Sequence, residues 1–291
     1  MLNAHLADRA AKGQESYGAL KGLPPFPAVV SRLLGLLANE DYEIKQLVEL
    51  ISADPMFASE LLLATNSAKY GSGKEVTSLR HAAALLGRET LRSFAVAVSL
   101  RMYIGRVARQ DQLAKVWRHS LATAVICDVL AECNPEIRKG SRDDAPYVAG
   151  LLHDIGSLGL MVAHPKEYAE VLGNAILNSK DLRELEQNAF QLDHCAAGHR
   201  IACAWKFSPT IAEVALRHHQ EPSGGEFTLL ELVKVGVLIA DALGYEVVAP
   251  QQPRTVMELA ELLPGAGRVR FASQIDMLPE RIAGRIGSFE L

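Results

Sequence analysis

Hydrophobic residues recur every three or four positions along almost the whole chain, the spacing that places them on one face of an α-helix. Segments in which Val, Ile, Thr and Tyr alternate with polar residues, as in half-buried strands, are missing. The pattern therefore predicts an all-α fold. In the first part of the chain, prolines, N-capping residues and glycines mark where helices begin and end. They predict one helix after Pro24 to Pro27, one from Asp54-Pro55 towards Asn66, one from Thr77 to Gly87, and one over 90–103.

A polar stretch, RVARQD, separates these helices from a second series, and we place a boundary between two lobes near residues 105–111. The second series is predicted at 113–133, 146–154, 165–178, 181–206 with a break near 191–193, 209–219 and 228–243. The string NPEIRKGSRDDAP between the first two predicts a loop. The residues after Gln251 fit two short helices. The predicted organisation is an N-terminal extension (1–19), a helical lobe (20–110), a second helical lobe (111–250) and a C-terminal helical tail (251–291).

The charge balance and composition narrow the function classes. With 30 Lys and Arg against 34 Asp and Glu, the net charge is −4, so we expect no direct nucleic-acid binding through a basic surface. No apolar run of 18 residues is free of charge and no signal peptide is evident, so we expect a cytoplasmic protein without a membrane segment. The cysteines are too few and too irregularly spaced for disulfides or a thiolate zinc site, and we expect all four to be reduced and buried: Cys127, Cys133, Cys195 and Cys203.

The string LLHDIG places His153 and Asp154 at the end of an apolar helix. Burying such an ionisable pair is costly unless a partner such as a divalent metal compensates. Neighbouring helical residues point about 100° apart, so both can reach one ion only near a helix end, where we expect Gly156 to let the backbone turn. A histidine that is simply hydrogen-bonded at a helix terminus is the alternative.

Further histidines and a carboxylate could join this pair. His119 lies on an apolar helix 34 residues earlier, His194 follows Asp193, and His218 and His219 are adjacent. Asp241 is a lone carboxylate in the apolar string VGVLIADAL, where either a metal or a nearby Lys or Arg would compensate its charge. We expect the remaining histidines to have structural or solvent-exposed roles: His5, His81, His164 and His199.

The order His119, His153-Asp154, Asp241 resembles the H…HD…D signature of the HD phosphohydrolase superfamily. The strings LPPFPAVVSRLL, LISADPMFASELLLATNSAKYG and TSLRHAAALLGRETLRSFAV are similar to the first lobe of one branch, the HDOD domain of bacterial signalling proteins. HDIG, DHCAAGHRIACAWKFSP and RHHQEP extend the resemblance through the second lobe, to about residue 245. It implies a two-lobed helical bundle whose second lobe is HD-like.

The resemblance also implies a set of metal ligands. His119, His153, Asp154 and Asp241 match the first metal site of the superfamily, with Asp154 able to bridge two ions. His194, His218 and His219 match the additional metal-binding histidines of the HD-GYP relatives. Mixed nitrogen and oxygen ligation suits one or two ions of iron, manganese, zinc or nickel. The alternative is a degenerate site in which these side chains satisfy one another without a metal.

Three departures argue against hydrolysis of cyclic di-GMP. Ser157 replaces the lysine of HDIGK, QEPSGGEF replaces the GYP loop, and Lys115 stands where some HD-GYP proteins have a metal-binding Glu. We therefore expect a regulatory module that acts through signalling protein partners. The alternatives are a metal-dependent phosphohydrolase of a nucleotide or phosphodiester, with His153 and Asp154 as catalytic residues, and a metal held only for structure.

Overall fold

The computed structural model describes residues 110–140, 145–224 and 226–287. It also describes shorter pieces nearer the N-terminus, namely 15–16, 18–23, 32, 36, 43–52, 58–59, 61–62, 65–66, 76, 78–87, 91 and 97–98. The secondary structure of these residues is helical and contains no strand, which confirms the all-α prediction. Several of the predictions concern residues that the structure does not describe. These are the helix starts at Asp54-Pro55 and at Thr77, and most of the helices after Pro24 and over 90–103.

The first part of the chain contains helix α1 (Ile44–Ser52) and a helical stretch over 79–87. Gly87 ends this stretch with a φ of +71°, a left-handed conformation that glycine adopts without strain, so the predicted stop is confirmed. The side-chain amide of Asn66 binds the backbone of Val76, ten residues further along the chain. It donates to the Val76 carbonyl (2.8 Å) and accepts from the Val76 N–H (2.7 Å). This pairing gives a structural role to Asn66 in the string LISADPMFASELLLATNSAKYG.

The residues predicted to form the second lobe begin with the long helix α2 (Gln110–Cys133), followed by the short helix α3 (Pro135–Gly140). The remaining helices of this lobe are α4 (Ala145–Leu152), α5 (Ile155–Ala163), α6 (Pro165–Asn178), α7 (Leu182–Phe190), α8 (His194–Ala204), α9 (Pro209–Arg217) and α10 (Leu229–Ala240). A π-helical turn, Asp241–Tyr245, continues α10.

Local capping explains why these boundaries agree with the predicted ones. Asp181, Asp193, Ser208 and Thr228 each accept a hydrogen bond from a backbone N–H in the first turn of the helix that follows. The break near 191–193 is confirmed, because Gln191 ends α7 in the left-handed conformation (φ 56°). The predicted loop after Cys133 was wrong in part, because α3 forms there with proline at its start and packs the buried Ile137 into the core.

The C-terminal tail folds onto the second lobe. It contains α11 (Val256–Ala260), α12 (Gly265–Ala272), a 3₁₀ turn (Ile275–Met277) and α13 (Leu278–Ile286), so the prediction of two short helices was wrong. Both α12 and α13 pack against α2. The Arg281 guanidinium donates to both carboxylate oxygens of Glu132, each at 3.1 Å, and Arg270 donates to the Cys133 carbonyl at 3.1 Å. The tail is therefore part of the same core.

Helix α2 is the central element of the lobe, and α4 and α10 approach it closely. A Cβ at Gly150 in α4 would lie 2.8 Å from Cα of Ala124, and a Cβ at Gly236 in α10 would lie 2.7 Å from Sγ of Cys127. Glycine thus allows both helices to come nearer to α2 than a side chain would permit. The close approach brings the C-terminal ends of α4 and α10 beside the middle of α2.

Among the described residues, one segment matches a membrane span by length and composition. It is Pro146–Ala163, with 18 residues and a mean hydropathy of 1.2, and 89% of it is buried inside the protein. It consists of α4, α5 and the turn between them, which contains Asp154, so its apolar character corresponds to the core of the lobe.

Candidate metal centre

The fold brings the five predicted histidines into one cluster. His119 lies on α2, His153 lies in the turn between α4 and α5, and His194 is the first residue of α8. His218 and His219 follow the end of α9. Adjacent rings in the cluster have centroids between 4.3 and 5.5 Å apart.

The turn that carries His153 and Asp154 confirms the predicted helix end, since α4 ends at Leu152 and α5 begins at Ile155. The expected role of Gly156 was wrong. Gly156 lies inside α5, and a Cβ there would overlap the backbone carbonyl of His194 and come 2.6 Å from the backbone nitrogen of Gly198. The glycine is needed because α5 and α8 touch backbone to backbone, which sets the distance between the turn and His194.

The hydrogen bonds of His119 and His153 define which ring nitrogens are free. Nδ1 of His153 lies 2.6 Å from the Gly150 carbonyl, and Nδ1 of His119 lies 3.0 Å from the Tyr245 carbonyl. Because a carbonyl oxygen only accepts, each Nδ1–H donates to it, and in a neutral ring the lone pair is then on Nε2. These two Nε2 atoms face each other at 3.2 Å.

His194 and His218 have the same arrangement. Nδ1 of His218 donates to the Ala215 carbonyl at 3.0 Å, and Nδ1 of His194 donates to Oε2 of Glu186 at 2.7 Å. Glu186 is fully buried, and it also accepts the backbone N–H of His194 (2.8 Å) and the hydroxyl of Tyr168 (3.0 Å). The Nε2 atoms of both histidines are buried and have no hydrogen-bond partner among the described residues.

Four buried imidazoles therefore direct their Nε2 atoms into one region. Burial, and then neighbouring histidines, hold the pKa of His153 and of His218 well below the usual range, so both rings are neutral and ready to act as ligands. Burial also lowers the pKa of His194, but the Glu186 carboxylate reverses this and raises it well above the usual value. Buried acceptors without a donor are costly, so one or two divalent cations here would satisfy His153 and His218 and would replace the Nε2 proton of His194.

The two predicted carboxylate ligands occupy different positions. Asp154 is buried, accepts the Ser157 hydroxyl at 2.7 Å, and has Oδ1 3.8 Å from Nε2 of His194, so it adjoins the free nitrogen of that ring. Oδ1 of Asp241 lies 3.5 Å from Nδ1 of His119, the nitrogen that faces away from His153. Burial raises the pKa of Asp241 to about 6, although His119 lowers it. Direct ligation by Asp241 stays a prediction.

Cys195 belongs to this centre but was not among the predicted site residues. One ligand atom from each of His194, Cys195, His218 and His219 lies within 4.8 Å of the others. Cys195 is buried, as expected, and its thiol adjoins the ring of His194. The only signal in the sequence was its place directly after a predicted ligand. All four cysteines are free thiols, but Cys203 is exposed, so the expectation that all would be buried was wrong for this residue.

The other histidines that the structure describes lie outside the cluster, as expected. His164 stacks on Phe190 with ring centroids 5.0 Å apart, and His199 lies 3.8 Å from Sγ of Cys203 on the outer side of α8. His81 is exposed, and His5 lies outside the described residues.

The segment after the double histidine is held in place by α10. A buried ion pair joins Lys234 to Glu231 at 2.7 Å, Glu231 accepts the backbone N–H of Ser223 at 2.7 Å, and Lys234 donates to the Glu221 carbonyl at 3.5 Å. Gly224 has a φ of +67°, as a tight turn requires. These contacts fix the chain that leaves His219.

Solved structures of bacterial proteins share this fold. An HDOD domain protein of unknown function from Geobacter sulfurreducens has a TM-score of 0.79 at 21% identity, covering 98% of this chain and 100% of that one. A protein from Shewanella amazonensis SB2B named "Putative phosphohydrolase" has a TM-score of 0.66 at 24% identity, covering 93% and 97%. A protein from Marinobacter aquaeolei VT8 named "Putative signal transduction protein" has a TM-score of 0.73 at 19% identity, covering 97% and 66%.

A curated relative, an uncharacterized protein of Treponema pallidum (strain Nichols), is 23% identical over 231 residues. The alignment covers 77% of this chain and 41% of that longer protein. The family model of the HDOD domain matches residues 23–221, which include the first-lobe strings and five clustered histidines. The chain therefore belongs to the HDOD domain family.

Proposed function

We propose that the protein is a signal-transduction HDOD module that acts through protein partners and whose second lobe binds one or two divalent metal ions. The observation that carries the metal is that the Nε2 atoms of His119, His153, His194 and His218 face one buried region, while each Nδ1 is held by a carbonyl or by Glu186. Asp154 supplies a buried carboxylate beside them. Imidazole and carboxylate ligands suit iron, manganese, zinc or nickel.

Two local contacts favour regulation over catalysis. Ser157, at the position of the HDIGK lysine, is buried and donates its hydroxyl to Asp154, so it provides no charge for a phosphate. Lys115 directs its ammonium group to the Val247 carbonyl at 3.4 Å. The name of the Marinobacter aquaeolei protein, "Putative signal transduction protein", is in line with this role.

A metal-dependent phosphohydrolase is the second candidate, favoured by the retained histidines and by the name of the Shewanella amazonensis protein. A divalent ion would polarise a phosphoryl oxygen and lower the pKa of water at such a site. His153 and Asp154 would then bind the ion for cleavage of a nucleotide or another phosphodiester. The centre adjoins the surface at His219, which is exposed, and at the partly exposed Asp241.

Metal content tests the centre directly. We would dialyse the wild type against each divalent ion, remove unbound metal and measure bound metal by mass spectrometry. His218→Gln should lose metal, whereas the matched control His199→Gln, whose ring points away from the centre on α8, should retain the wild-type content. A wild type that binds none of the ions would refute the metal centre.

Activity and stability separate the three roles. The metal-loaded protein would be assayed for phosphodiesterase turnover. Turnover that both His153→Ala and Asp154→Ala abolish would overturn the regulatory proposal, whereas the absence of turnover would support it. A metal at 100 times its Kd should stabilise the fold by about 2.7 kcal/mol. A partner would first be captured with the metal-loaded protein. If chelation then lowers the melting temperature but does not change the affinity for this partner, the metal has only a structural role.

A further inference from the structure

We propose that the centre contains a second, chemically distinct metal site in which the thiolate of Cys195 joins His194, His218 and His219. This inference rests on the proposed metal centre and adds to it a sulfur ligand. Its geometric basis is that one ligand atom from each of these four side chains lies within 4.8 Å of the others.

Two of the four ligand atoms in this group are free to bind a metal. Nε2 of His194 and Nε2 of His218 are buried and lack a hydrogen-bond partner among the described residues, while the opposite nitrogen of each ring is held by Glu186 or by the Ala215 carbonyl. A buried polar nitrogen without a partner is costly in each case, so two independent side chains indicate that a cation binds here.

The local backbone explains how two neighbouring residues can serve one site. Asp193 caps α8 by accepting the N–H of Ala196 at 2.8 Å, so His194 and Cys195 occupy the first turn of the helix. His218 and His219 leave the end of α9, where the chain is no longer constrained to helical spacing. Packing of α8 against α9 places the two pairs opposite each other.

The ligand chemistry distinguishes this site from the rest of the centre. His119 and His153 face each other through nitrogen atoms, with Asp154 as the nearby oxygen donor of the turn. A thiolate with three imidazoles is instead a four-ligand sulfur and nitrogen set, which favours tetrahedral zinc and leaves no open position. The inferred site is thus a closed zinc site beside a nitrogen and oxygen site.

Cobalt(II) is the probe that reports sulfur ligation, because a cobalt–thiolate bond gives a charge-transfer absorption in the near ultraviolet that imidazole and carboxylate ligands do not. We would titrate the full chain with cobalt under anaerobic conditions, then add zinc. The wild type should show the band and lose it as zinc replaces cobalt.

Cys195→Ser should abolish the band and retain the circular dichroism spectrum of the folded protein. It should also weaken zinc binding by at least about 10-fold, the smallest loss typical when a residue that supports a metal ligand is removed. Cys203→Ser, which changes an exposed thiol on the same helix, is the matched control and should keep the band. If Cys195→Ser does not fold, Cys195→Ala replaces it.

The outcomes separate the two proposals. Cobalt bound without the band, or a band that persists in Cys195→Ser or disappears in Cys203→Ser, overturns the thiolate site and leaves the metal centre standing. Failure of the wild type to bind cobalt or zinc at all overturns both.

Discussion

Replacing Glu186 by Gln removes a negative charge from behind His194 and keeps the size of the side chain. The carboxylate accepts both the Nδ1–H (2.7 Å) and the backbone N–H (2.8 Å) of His194 through one oxygen, and the Tyr168 hydroxyl (3.0 Å) through the other. An amide has only one acceptor oxygen, so one side must face an N–H₂ group. Hydrogen bonds to buried charged groups contribute about 1.5–3 kcal/mol each. We expect Glu186→Gln to lower the free energy of unfolding by about 2–3 kcal/mol.

The same change should weaken metal binding, because an outer carboxylate fixes the ring tautomer and raises the basicity of the ligand nitrogen. The expected loss is about 10- to 100-fold, or about 1.4–2.7 kcal/mol. Competition with a chromophoric chelator measures the affinity, and urea unfolding of the metal-free protein measures stability. Glu184→Gln, on the exposed side of the same helix, is the control and should change each quantity by less than about 1 kcal/mol. Wild-type metal affinity in Glu186→Gln would refute this account of the outer carboxylate.

The pH dependence provides a second check on Glu186. The pKa of His194 in the metal-free protein is raised well above its usual 6.5, mainly by Glu186 acting against burial. A raised folded-state pKa contributes stability that is fully present below 6.5 and is lost as the pH rises through the raised value. The stability difference between wild type and Glu186→Gln should therefore be largest below pH 6.5 and shrink at alkaline pH. A difference that grows with pH would contradict the proposed ion pair.

Two further predictions concern the packing around the centre. Gly156→Ala should lower the free energy of unfolding in urea by at least about 1–3 kcal/mol, because the added Cβ would meet the backbone of α8. The control Gly173→Ala has open space around its Cβ and should be neutral or stabilising by up to about 1 kcal/mol. Equal effects of the two substitutions would contradict the close approach of α5 and α8. Glu231→Gln should destabilise the protein by about 3 kcal/mol at pH 7, because it leaves the buried Lys234 ammonium without its carboxylate counter-charge. Burial raises the pKa of Glu231, but hydrogen bonds from Lys234 and the Ser223 N–H lower it below its usual 4.5. The contribution of this carboxylate to stability is therefore present above pH 4.5 and is lost as the pH falls through the pKa of the folded state. A penalty that stays constant down to pH 3 would argue against the pair.

Local signals in the sequence were sufficient to locate many of the helices. Helix α6 has the predicted bounds because Pro165 starts it and Ser179 ends it in a left-handed conformation, and both features are short-range. The short α3 was missed because residues such as Asn134 and Gly140 are typical of loops. Burial of Ile137 in the core favours the helix there, and that contact is not visible in the local pattern.

The centre could be predicted only where its residues form a recognisable order. The five histidines and Asp154 came from motifs, whereas Glu186 lies in the polar string RELEQN, which by itself indicates a solvent-exposed helix face. Its burial results from the packing of α6 on α7, which also brings Tyr168 to its second oxygen. Gly156 was identified as important, but for backbone freedom, because a close approach between two helices distant in sequence has no local signature.

The bond between His119 and the Tyr245 carbonyl joins residues 126 positions apart, and the bond between Glu132, near the C-terminal end of α2, and Arg281 spans 149. A ribosome releases the N-terminal part of a chain first, and closing long loops carries an entropic cost that must be met before such contacts form. While the chain is being synthesised, the ring of His119 has no carbonyl to fix its tautomer until Tyr245 has emerged. The four-histidine arrangement is therefore completed only after translation has passed this residue, and the proposed metal would be selected after that point, from the ions that then surround the chain.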